Sequence, residues 1–98
     1  MALMEISIVP LGTGNTSLSP YIAKVIRAIK ESGLSYEFHD MGTTIQGEVG
    51  ELFGLAQTVH EIPFDAGAKR VYTVIKIDDR RDKITKIGQK RRSVEKKL

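Results

Sequence analysis

The sequence contains no cysteine. That excludes a disulfide framework, a thiolate metal site and a cysteine nucleophile, and it fits a reducing compartment. No apolar run approaches the roughly 20 residues needed to span a bilayer. Nor does the N-terminus show the cationic and then apolar segments of a secretory signal. The expectation is a cytoplasmic protein that does not engage a membrane. The two histidines, His39 and His60, stand on different predicted elements with no second ligand at a spacing such as H-x-x-x-H. They read as surface or interface side chains, so no metal site and no cofactor are expected. No paired carboxylates and no serine triad stand out; no catalytic residue is assigned, and the chain is not expected to be an enzyme.

What is present is an apolar fraction of 41% over 98 residues, arranged in clear periodicities. This predicts one globular domain, residues 1–98, with a core modest enough for oligomerisation to be a useful supplement. The net charge of +3 conceals an asymmetry. Residues 1–75 hold five basic against eight acidic side chains, net −3, whereas residues 76–98 hold ten basic against four acidic, net +6. The body is mildly acidic and the C-terminal quarter carries the basicity.

"MEISIVP" alternates, with Met4, Ile6 and Ile8 on one side, and predicts a strand ending at Pro10. Leu18, Tyr21, Ile22, Val25, Ile26 and Ile29 form one apolar helical face, closed by Gly33. Ser19 followed by Pro20 fits the start of that helix, with Ser19 as N-cap. "SYEFHD" and "GTTIQGE" read as a hairpin turning at Asp40-Met41-Gly42. A second helix is expected from about Val49 to Pro63, or loosely to Gly67, with Leu52, Phe53, Ala56, Val59 and His60 on one side. "RVYTVIKID" is a strand, and a third helix is expected from Asp82, with Ile84, Ile87, Val94 and Leu98 in one stripe. The order β-α-β-β-α-β plus a C-terminal helix predicts an α+β, ferredoxin-like fold: a four-stranded antiparallel sheet with two helices on one face. Those helices would cover Ile6, Ile8, Phe38, Ile45, Val71 and Ile75. The opposite face would show Glu5, Ser7, Glu37, His39, Thr44, Gln46, Glu48, Tyr72 and Val74, and it would suit a second subunit or a ligand.

The stretch "GTGNTS" after the first strand lacks the lysine of a Walker A loop and the third glycine of G-x-G-x-x-G. Two readings stay open. Either Gly12 and Gly14 supply turn geometry while Ser17 or Ser19 caps the helix, or the loop contacts a ligand, an anion at the helix N-terminus included. In "GTTIQGE", Thr44, Gln46 and Glu48 would share one strand face. They either grip a polar heterocycle or form a solvated or subunit-facing row. "KIDDRRDK" alternates in sign and reads as paired charges, with Arg80 and Arg81 as potential anion ligands. RNA-recognition domains share this element order but stack bases on aromatics of the two central strands. Neither "MEISIVP" nor "TTIQGE" has an aromatic residue, so nucleic acid is not the expected partner.

Together, "ISIVPLGTGNTSLSPYIA", "MGTTIQGE", the helix containing "VHE" and "RVYTVIKIDDRRD" resemble the small thiamine-binding proteins, relatives of the tandem-domain hydroxymethylpyrimidine/thiamine-binding proteins. The resemblance runs from about Met4 to Lys97. It implies a ferredoxin-like domain with an extra C-terminal helix, pairing through its sheet faces into dimers and tetramers. It further implies non-catalytic binding of thiamine or its pyrimidine moiety. Many members carry an acid where this chain has Gln46. The expected ligand contacts are Asn15, Ser17 and Ser19 from the loop, with Thr43, Thr44, Gln46 and Glu48 from the hairpin. Two alternatives remain: a regulatory or scaffold module whose open sheet face serves only subunit contacts, and weak nucleic-acid binding through the basic C-terminal helix.

Overall fold

The computed structural model describes residues 1–98. Its elements are β1 (Ala2–Leu11), α1 (Ser19–Glu31), β2 (Ser35–His39), β3 (Gly42–Gly47), α2 (Val49–Asp65), β4 (Arg70–Asp79) and α3 (Gln89–Glu95). The strands form one antiparallel sheet in the order β2-β3-β1-β4. This is the expected α+β, ferredoxin-like arrangement.

Burial follows from the alternation in β1, where Ala2, Met4, Ile6, Ile8 and Pro10 are all buried. Residues paired directly across strands share a face, so Tyr36, Ile45, Met4 and Ile77 form one row beneath the helices. Val25 and Ile29 of α1 and Leu52, Leu55, Ala56 and Val59 of α2 close the core over it.

Strand lengths matter for the site. β1 pairs with β4 from Ala2 to Leu11, but with β3 only from Ala2 to Ile6. Pro10, which has no N–H to donate, falls in the stretch that β3 does not reach. At the end of β3, a Cβ on Gly42 would stand 3.0 Å from the Ile6 carbonyl oxygen. Only glycine lets the hairpin close so tightly on β1.

Several expectations are corrected. Ser19 is not the N-cap; α1 starts at Ser19, Leu18 holds the cap position, and no side chain caps it. Two α1 amides, those of Tyr21 and Ile22, donate instead to the Leu18 carbonyl at 3.0 and 3.1 Å. Phe53 is 58% exposed, and Leu55 takes the core position on α2. Phe38 and Ile75 do lie on the helix side by register, but on the outer strands, where they stay 57% and 41% exposed. Glu48 lies beyond the end of β3, in the N-cap position of α2, so it does not continue the row of Thr44 and Gln46.

The C-terminal helix does not begin at Asp82 but spans only Gln89–Glu95. Gln46 accounts for part of this. Its Oε1 accepts the Ile87 N–H at 2.9 Å, and its Nε2 donates to Met1 Sδ at 3.2 Å. The segment before α3 is thus pinned against the open side of the sheet, and Gly88 turns into the helix at φ +83°. Ile84, Val94 and Leu98 remain exposed and form no buried stripe.

Candidate functional site

Where β3 stops short of β1, a cavity of about 640 Å³ opens between α1 and the β2–β3 turn. Consecutive residues of β1, Ile6 through Val9, line it, so it reaches the strand's free edge from both sheet faces. Ile22, Ala23 and Ile26 of α1 form one wall. Phe38 and Met41 form the other, with Met41 85% exposed at the turn.

Polar groups are few and set among these apolar walls: Ser7, Ser19, His39, Asp40 and Thr43. Thr43 is buried. The His39 Nε2 shares a hydrogen bond with Thr44 Oγ1 at 3.1 Å, which fixes the imidazole from the open side of the sheet. A volume of this size, an apolar lining and a handful of hydroxyl, imidazole and carboxylate groups characterise small-molecule sites, which run about 300–1,000 Å³.

The seven residues expected from the sequence are not gathered in one place. Ser19 and Thr43 line the cavity, and Thr44 touches it through His39. Asn15 and Ser17 belong to the glycine-rich loop, where Asn15 Oδ1 accepts the Ser17 N–H at 2.9 Å. Ser17 Oγ lies 3.0 Å from Ser19 Oγ, linking that loop to the cavity wall. Gln46 is engaged with Met1 and Ile87. Glu48 stands 3.9 Å from the N-terminal ammonium, and its N–H donates to Glu51 Oε1 at 3.1 Å. Sequence reasoning missed Ile22 and Ile26, read as plain core, and Asp40 and Met41, read as plain turn. A large apolar side chain at the tip of a turn is the signal that would have found them.

The other charged cluster is internally paired. Asp82 accepts two hydrogen bonds from Arg80, at 2.6 and 2.8 Å, and these hold its carboxyl at about 2. A hydrogen bond from Arg81 likewise lowers Asp79. His60 Nδ1 meets Thr73 Oγ1 at 2.7 Å, with Phe64 edge-on at 5.5 Å. No three His, Cys, Asp or Glu side chains are grouped to hold a metal ion, and no helix is long and apolar enough to cross a membrane.

Fold and site together define a ferredoxin-like protein with a pocket of small-molecule size beside its first helix. Residues 4–95 match the sequence model described as thiamine-binding protein, and the chain belongs to that family. A UPF0045 protein of Staphylococcus xylosus is 41% identical over 102 aligned positions, covering 100% of this chain and 95% of the relative. Among crystal structures, a hypothetical protein of Methanocaldococcus jannaschii superposes with a TM-score of 0.87 at 33% identity, covering 96% of this chain and 95% of the other. A Thermotoga maritima protein, named for a candidate role in thiamine biosynthesis or salvage, superposes at 0.79 with 26% identity, over 95% and 97% of the two chains.

Proposed function

We propose that this chain binds thiamine or a related pyrimidine such as hydroxymethylpyrimidine, without converting it, as a cytoplasmic homo-oligomer of one ferredoxin-like, thiamine-binding-type domain. The observation that carries the reading is the cavity of about 640 Å³ beside α1, taken with membership of the thiamine-binding protein family. Thiamine offers two flat heterocycles, an aminopyrimidine edge and a hydroxyethyl tail. Ile8, Ile22 and Ile26 suit the ring faces, while the hydroxyls of Ser19 and Thr43 suit the pyrimidine edge. Asn15 and Ser17 would act from the adjoining loop, and Thr44 by holding His39. Gln46 is engaged through both ends of its amide with Met1 and Ile87, and the Glu48 carboxylate stands beside the N-terminal ammonium; neither lines the cavity, so their part is indirect. Assembly through the open sheet face draws support from Tyr72 and Val74, 59% and 38% exposed and paired in register with Val9 and Ser7.

Amide chemical-shift mapping with thiamine tests the site. The reading expects the largest shifts at Ile8, Ser19, Ala23 and Thr43. Shifts confined to the Tyr72–Val74 face would contradict it.

A further inference from the structure

We infer that Met41 is a site of reversible oxidation by peroxide, and that its conversion to the sulfoxide weakens ligand binding in the cavity beside α1. The regulatory half of this inference rests on the cavity being the ligand site. The modification itself follows from how differently the chain treats its three methionines. Met4 is fully buried beneath the helices. Met1 is 57% exposed, but its Sδ accepts a hydrogen bond from Gln46 Nε2 at 3.2 Å, which ties up part of the sulfur's electron density. Met41 has neither form of shelter. It is 85% exposed at the tip of the β2–β3 turn, and it forms part of the cavity wall.

Oxidation at this position acts on the wall and spares the core. The neighbouring Gly42 fixes the turn, because its close approach to the Ile6 carbonyl oxygen leaves an added Cβ only 3.0 Å of room. A side chain as exposed as Met41 contributes little to the packing beneath the helices. It stands instead in the wall that faces Ile22 and Ile26 across the cavity.

The chemistry needs an oxidant, and hydrogen peroxide supplies it. The Sδ lone pair attacks one peroxide oxygen, and the S–O bond forms as the O–O bond breaks. The proton on the transferred oxygen leaves with the departing hydroxide as water, so sulfur is oxidised and the peroxide reduced. A flexible apolar thioether becomes a polar, chiral sulfoxide. A ring seated against it would lose apolar contact and would have to displace water from the sulfoxide oxygen. Leucine would furnish an equally apolar wall. Only the thioether can be oxygenated and then restored by a thiol-dependent reductase.

Peroxide treatment followed by peptide mass mapping tests the site, and calorimetric titration with thiamine tests the consequence. Met41 is expected to gain one oxygen first, Met1 several-fold more slowly, and Met4 only when the chain unfolds. Oxidation of Met41 should weaken thiamine binding about fivefold, and Met41→Gln, polar and similar in length, should bind about as weakly without peroxide. The affinity of Met41→Leu should be the same before and after treatment, which separates Met41 from Met1. Thermal unfolding checks that each protein remains folded. Oxygen added to Met1 or Met4 before Met41 overturns the site. An affinity unchanged by oxidation of Met41, or lost equally in treated Met41→Leu, overturns its regulatory role and leaves the binding reading standing. If thiamine fails to bind the untreated chain, the binding reading falls and takes the regulation with it.

Discussion

Thr43 is the only hydroxyl residue that is both buried and in the cavity wall. Thr43→Val keeps its shape and removes its hydrogen-bonding capacity. The loss of one ligand hydrogen bond, about 0.5–1.5 kcal/mol, should weaken thiamine binding roughly two- to twelvefold, read by titration. The Arg80–Asp82 pair makes a separate prediction. A hydrogen bond from Arg80 brings the Asp82 carboxyl from the usual 3.8 to about 2. A folded value below the ordinary one means the pair stabilises the folded chain above that ordinary value. The contribution is lost as the pH falls through the depressed value. Carboxyl carbon shifts should therefore titrate with a midpoint near 2 for Asp82, and Arg80→Ala should return that midpoint to the ordinary range. An unchanged midpoint in the variant would remove Arg80 as the cause.

The structural elements differ in what they contribute. Ile29 is fully buried where α1 meets the sheet, whereas Ile84, in the segment before α3, is 74% exposed. Ile29→Ala should cost about 2–5 kcal/mol in denaturant unfolding, through lost burial and the cavity left behind. Ile84→Ala should stay within about 0.5 kcal/mol. The first of these positions was legible in the sequence, because Val25 and Ile29 continue an unbroken helical stripe. The second was not, because Ile84, Ile87, Val94 and Leu98 still fall on one helical stripe on paper, with Arg91 as its one charged member. It is broken at Ile87 and Gly88, where the Gln46 amide, 41 residues away in sequence, takes the Ile87 N–H and Gly88 adopts a left-handed conformation. The strands, their order and the hairpin could be read from alternation and turn residues, which are local. The cavity could not, since it depends on β3 pairing with β1 no further than Ile6, a mismatch in length that appears only once register is set. Loop chemistry likewise suggested a ligand contact near Ser17 and Ser19 but gave no sign that Asp40 and Met41 stand across from them.

At the scale of the whole molecule, two surfaces compete for the role of functional site: the cavity beside α1 and the open sheet face with Tyr72 and Val74. On the proposed function the ligand takes the first and a second copy of the chain takes the second. Tyr72→Glu should accordingly lower the mass measured by light scattering. A variant that assembles like the unsubstituted chain would move the subunit contact elsewhere.

The most direct test of the central claim is calorimetric titration of thiamine into the unsubstituted chain and Ala23→Phe. Ala23 is exposed yet lines the cavity, so a phenyl ring there fills the mouth without crowding the core. The account predicts saturable binding with one ligand per chain, abolished by Ala23→Phe in a variant of unchanged thermal stability. Equal binding by both proteins would contradict it.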